Sequence, residues 1–212
     1  MTVIDLTHTI REFMPVYPGT EPPRLTPVST WETDGFRETL LHMYSHTGTH
    51  MDAPAHIFPD RPTLDQLPPE QFLGTALVID CRSLKAGEPI TMTHLRPYGE
   101  KANQADFLLF NTGWDNFWGT DAYFGDFPCV DEEVLDYIMA GRYKGIGFDT
   151  LSLDPINTIP RHRKLLFSRD MVILENLTNL HLCGSGLFRF TCCPLKLENS
   201  DGSPIRAIAW FD

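Results

Sequence analysis

The chain has 212 residues, 42% hydrophobic and 21% charged, which is the composition of a folded globular protein rather than a disordered one. Its 28 acidic and 17 basic residues leave a formal charge of −11. No Lys/Arg run or basic stripe interrupts that acidity, so neither nucleic acid nor an anionic membrane is an expected partner.

The first element in chain order is a strand in "TVIDLTHTI", followed by a proline-rich loop, "MPVYPGTEPPRLTP". "FRETLLHMYSH" is rich enough in strand formers to be extended. The short apolar runs "GTALVIDC" and "DFLLFNTG" read as buried strands. "DEEVLDYIMAGRY" reads as a helix, with Val134, Leu135, Ile138 and Met139 on one face and acidic residues in its first turn. "KGIGFDT" is a buried strand, "RHRKLLFS" a short helix and "DMVILENL" another strand. "FRFTCCPLKL" and "PIRAIAWF" are expected to pair across the turn "ENSDGS". Together these elements predict one α/β domain over residues 1–212, built on a mixed, partly barrel-like β-sheet with a few flanking helices.

No stretch is apolar and long enough to span a bilayer, and "MTVIDLTHTI" lacks the regions of a signal peptide, so a cytoplasmic location is expected. The five cysteines (Cys81, Cys129, Cys183, Cys192 and Cys193) form no CxxC pair, and reduced thiols are the economical reading. Adjacent Cys192 and Cys193 would point to opposite faces of a strand.

The chemistry concentrates in "HTGTHMDAPAH", which holds three of the chain's eight histidines. His46, His50, Asp52 and His56 occupy even positions, so on an extended chain they would share a face. A straight ten-residue span would reach roughly 33 Å, far beyond what one ion can gather. The chain must therefore bend, and Gly48 and Pro54 suit a bend. A helical HExxH site is excluded because Thr47 follows His46. The bland alternative is a polar turn with solvated histidines. Further ligands are available downstream in His162 and Glu175, thirteen residues apart. Glu175 follows the apolar run "MVIL", where a cation would offset its burial, but an exposed strand end and a helix-capping His162 fit the same residues.

"HTGTHMDAPAH" resembles the HxGTHxDxPxH signature of the cyclase family of metal-dependent hydrolases, which includes kynurenine formamidases and isatin hydrolases. The resemblance extends to "MPVYPGTEP", "TGWDNFWGTDAYFGDFP", "GIGFDTLSLDP", "HRKLLFSRDMVILENL" and "PLKLENSDGSPIRAIAW", and so covers nearly the whole chain. It implies two divalent ions, Zn²⁺ first and Mn²⁺ second. His46, His50 and Asp52 would hold one ion, Asp52 and Glu175 would bridge to the other, and His162 would complete the second site. His56 would be the acid/base. Such ions lower the pKa of bound water and polarise a carbonyl, which suits amide hydrolysis without a Ser or Cys nucleophile. The resemblance thus implies an arylformamidase taking N-formylkynurenine to kynurenine and formate, in tryptophan catabolism. Its alternatives are ring opening of a cyclic amide such as isatin, or a non-catalytic metal-binding protein that has kept the site. A structural zinc site would usually be Cys-rich, unlike this one.

Tyr17 stands where kynurenine formamidases carry a Trp over an aryl substrate, and is the candidate substrate-binding residue. Trp114, Phe117, Trp118, Tyr123 and Phe124 either line an aryl pocket or simply pack, the commoner use of such a cluster. His8, His42, His94 and His181 read as structural, although His42 has the option of facing the site. A small-molecule substrate and a homodimer or higher homo-oligomer are the expected partners.

Overall fold

The computed structural model describes residues 1–211. In chain order its strands are β1 (Thr2–Asp5), β2 (Arg24–Ser29), β3 (Glu38–His42), β4 (His50–Asp52), β5 (Leu73–Asp80), β6 (Phe107–Asn111), β7 (Gly145–Phe148), β8 (Val172–Glu175), β9 (Phe188–Thr191), β10 (Gly202–Pro204) and β11 (Ile208–Phe211). The α-helices are α1 (Trp31–Asp34), α2 (Met92–Leu95), α3 (Glu100–Gln104), α4 (Glu132–Ala140) and α5 (Pro160–Ser168). All strands but β2 and β3 form one mixed sheet in the order β1-β11-β9-β5-β6-β7-β8-β4-β10. Strands β5 to β8 run parallel and the outer pairs antiparallel.

The parallel centre explains the unbroken apolar runs, because its strands are covered on both faces. Alternation sends Ala76, Val78, Phe107, Leu109, Val172 and Leu174 into one buried cluster, together with Leu6 and Ala209 from one end of the sheet and Met51 from the other. Leu77, Ile79, Leu108, Phe110, Ile146 and Ile173 face the other way, onto a second cluster with Val134, Leu135 and Ile138 of α4 and Leu165 and Leu166 of α5. The sheet curls into a half-barrel around the first cluster. Just beyond β1, Leu6 accepts a hydrogen bond from Thr178 N, and Thr7 bridges Leu177 just beyond β8. Helix α4 starts where expected, with Asp131 accepting from Val134 N at 2.9 Å and Glu132 and Glu133 in the first turn.

Three local expectations change. The end of the proline-rich loop is strand β2, which pairs only with β3. Its strand formers Leu25, Thr26 and Val28 prevail because a two-stranded ribbon leaves every residue near an edge, where Pro27 is tolerated, and the register shifts at that point. The last two long strands do pair, β9 with β11, but the connection between them is more than a turn. It carries β10, which crosses to β4. Short helices α2 and α3 occupy the link between β5 and β6, where no helix is predicted. The β2–β3 ribbon stands apart from the main sheet with Val28, Leu40 and Leu41 exposed.

All five cysteines are free, and Cys192 and Cys193 lie just beyond β9 rather than on a strand, the first buried and the second exposed. No helix among the described residues is long and apolar enough to cross a membrane.

Candidate metal centre

Strand β4 projects His50 and Asp52 to the same side, two residues apart. The antiparallel register with β8 sets Glu175 directly opposite His50, and His50 Nε2 lies 3.4 Å from Glu175 Oε2 and 3.5 Å from Asp52 Oδ1. The two bends the motif needs occur at the two residues suited to them. Gly48 takes φ +65°, a conformation costly for other residues, and turns the chain so that His46 Nδ1 comes 2.7 Å from Asp52 Oδ1. Pro54 opens a single 3₁₀ turn, Pro54–His56, and the His56 ring ends 4.1 Å from that of His46, centroid to centroid. Only His50 and Asp52 therefore lie on a strand, and the other two histidines reach the site by turns.

His162 arrives from helix α5. Its Nε2 lies 3.1 Å from Glu175 Oε1 and 3.4 Å from Asp52 Oδ2. It is neither a helix cap nor solvated, and Glu175 is buried rather than an exposed strand end. The structure thus brings all six predicted site residues of the motif, helix α5 and strand β8 together on one cavity of about 410 Å³, with Tyr17 on its wall.

Each imidazole has an outer partner. His50 Nδ1 donates to Gly48 O at 2.7 Å, and His162 Nδ1 donates to Asp154 Oδ2 at 2.8 Å. The second nitrogen of each ring is thereby left for the centre, the usual arrangement behind metal-ligating histidines. Asn176 Nδ2 also donates to Gly48 O, and Tyr123 Oη donates to Asn176 Oδ1. On the open side, His46 Nε2 donates to Asp201 Oδ2 at 3.0 Å. Asp154, Asn176 and Asp201 were not foreseen as site residues. Asp154 and Asn176 lie inside "LSLDP" and "ILENL" with nothing to distinguish them, and Asp201 looks like an ordinary turn aspartate.

The electrostatics call for a cation. Asp52 is 1% exposed and Glu175 6%, and among the described residues no Lys or Arg lines the cavity. Burial opposes the charge of Asp52, yet His46, His162 and His50 hold its carboxyl well below the usual range. Burial likewise opposes protonation of His46, but Asp52 and Asp201 raise it to about 10. His162 is driven well above the ordinary histidine value by Asp154, Asp52 and Glu175, against its burial. Each of these shifts reflects buried carboxylates that need positive charge beside them. Divalent ions supply that charge directly, and the donor set of imidazole nitrogen and carboxylate oxygen suits Zn²⁺ or Mn²⁺. Two overlapping groups have donor atoms within 4.8 Å of one another: His46, Asp52 and His56, and His50, Asp52 and Glu175. Asp52 belongs to both. His56 is the most open of the four histidines at the centre, with its side chain 33% exposed against 5% for His50 and His162. Burial is the main cause lowering its pKa.

The cavity walls are mostly apolar, from Val16, Tyr17, Tyr44, Leu151 and Ile159. Tyr17 Oη accepts from Asn157 N at 2.7 Å, which ties the N-terminal loop to the segment before α5. The aromatic segment packs instead of lining this cavity. Trp114 and Tyr123 are buried with Phe127, and Trp118 stacks on His8 at 3.9 Å. His42 does not face the site. It is exposed on β3, 3.8 Å from Glu21.

The Cyclase family model matches residues 4–155. Over 212 residues the chain is 32% identical to an uncharacterized protein of Methanocaldococcus jannaschii, covering 99% of each. Its fold is similar to that of isatin hydrolase A from Labrenzia aggregata, bound to benzyl benzoate, with a TM-score of 0.86 and 24% identity over 98% of this chain and 93% of that one. A potential metal-dependent hydrolase with cyclase activity aligns with a TM-score of 0.80 and 26% identity, covering 100% of this chain and 99% of the other.

Proposed function

The chain belongs to the cyclase family of metal-dependent hydrolases, and from that premise we propose that it hydrolyses a small amide, with N-formyl aryl amines as the leading substrate class. The observation that carries this reading is the convergence of buried Asp52, Glu175, His50 and His162 on a cavity with apolar walls. His46, His50, Asp52, His162 and Glu175 would hold two divalent ions, Zn²⁺ first and Mn²⁺ second. Such ions activate water and polarise the scissile carbonyl. The chain's own groups do the rest. Val16, Tyr17, Leu151 and Ile159 take the aryl portion and displace water from around it. His56, on the cavity wall beside the buried ligand set, moves a proton to the departing nitrogen.

A second reading is ring opening of a cyclic amide such as isatin. It is favoured by the similarity in fold to isatin hydrolases and by a lining in which no described residue is Lys or Arg, so that no side-chain cation faces the free carboxylate of N-formylkynurenine. Metal analysis of the purified protein, followed by turnover of N-formylkynurenine, N-formylaniline and isatin, separates the readings. Turnover of either formamide supports the first, and turnover of isatin alone supports the second. Bound metal with no turnover would point to a metal-binding protein that has kept the site.

A further inference from the structure

We propose that Asp201 is a positioning residue that holds the His46 imidazole by its outer nitrogen and so strengthens the centre's grip on metal. The inference rests on reading His46 as a ligand. Asp201 precedes β10, far from the motif in sequence, and is delivered by strand pairing. Gly202 lies opposite Asp52, Pro204 lies opposite His50, and Ala53 N donates to Asp201 O at 2.8 Å. Both carboxylate oxygens are engaged. Oδ2 accepts from His46 Nε2 at 3.0 Å and Oδ1 accepts from Ser45 Oγ at 3.1 Å. The same Oδ2 lies 3.5 Å from His56 Nδ1, so one carboxylate faces two histidines of the site.

Gly202 supplies the other half of the seat. A Cβ built there would overlap the His46 ring at Cε1, Nε2 and Nδ1, so the imidazole lies against bare backbone. His46 therefore has Nδ1 turned to Asp52 and the centre, and Nε2–H turned outward to Asp201. An outer carboxylate in that position fixes the tautomer and orientation of the ring and raises its basicity as a ligand. Gly48 O does this for His50 and Asp154 for His162. Asp154 is fully buried, whereas the Asp201 side chain is 49% exposed. His46 is thus the imidazole whose support sits at the cavity mouth.

The test is Zn²⁺ affinity, measured by titrating metal-free protein in chelator-buffered zinc, alongside its circular-dichroism spectrum. Asp201→Asn is expected to bind Zn²⁺ about 10–100-fold more weakly, the usual cost of losing an outer-shell partner, with the circular-dichroism spectrum of the metal-free protein unchanged. Gly202→Ala, which displaces the ring without touching the carboxylate, is expected to weaken binding in the same direction. An Asp201→Asn affinity within twofold of wild type would overturn the proposal. So would a changed circular-dichroism spectrum of the metal-free variant that accompanies the loss, since Asp201 would then serve only the β4–β10 pairing. His46→Ala is the control. If it keeps full affinity, the reading of His46 as a ligand has failed. If it weakens binding while Asp201→Asn does not, only the present inference has failed.

Discussion

Asp52 is the residue on which the centre turns. It is nearly fully buried, and His46, His50 and His162 all approach its carboxylate within 3.5 Å. Asp52→Ala should therefore remove most bound metal and abolish activity, and should do so more completely than His50→Ala, since Asp52 belongs to both candidate ligand groups. Metal analysis showing near-full occupancy in Asp52→Ala would refute the shared role. His56 is the contrasting case, more open and reached by a separate turn. His56→Asn should keep the metal and the fold and lose about 10²–10⁴-fold in kcat on an amide, the usual worth of a proton donor. The loss should shrink on an activated ester, whose leaving group needs no proton. If His56→Asn strips metal instead, His56 is a ligand. These residues were legible because three histidines and an aspartate in one short stretch are hard to explain otherwise. Asp201 was not, because its role exists only once β10 lies beside β4.

At the scale of elements, β7 shows how sequence and packing constrain each other. Its segment "GIGF" alternates Gly145 and Gly147 with Ile146 and Phe148. The large residues face the helices, and the glycines face the interior of the curl between Phe107 and Leu109 of β6 and Val172 and Leu174 of β8. A Cβ on Gly147 would crowd Leu177 Cδ1 at 2.6 Å and Leu109 Cδ2 at 2.8 Å. Gly147→Ala should cost about 1–3 kcal/mol, the range for overpacking a core, and denaturant unfolding measures it directly. A neutral or stabilising result would mean that the interior is looser than these contacts imply. Strands β5 to β8 and helix α4 were readable because their patterns are strong and local. Strands β2 and β10 were not. One contains a proline within its span and the other is three residues long, so each owes its existence to a partner strand.

At the scale of the molecule, the centre draws on segments that are distant in the chain: the motif on β4, helix α5, strand β8 and the turn before β10. Metal bound there should clamp these segments together and stabilise the native state. Metal held at about 1,000 times its Kd contributes about 4 kcal/mol per site. Chelation should then lower the melting temperature by roughly 8–16 °C for each ion removed from a chain of this size, as calorimetry would show. An unchanged melting temperature on full metal removal would mean that metal does not bind the native state in preference to the unfolded chain. The amino-acid order determined the donor types, their spacing, the bends at Gly48 and Pro54, and the doubly covered parallel strands, because each follows from local geometry or from hydrophobic pattern. Only the tertiary structure decided that the aromatic segment packs away from the cavity, that His162 and Glu175 meet Asp52, and that Asp201 supports His46. Those outcomes depend on strand register and sheet curl, which bring together groups whose separation along the chain carries no information about their distance in space.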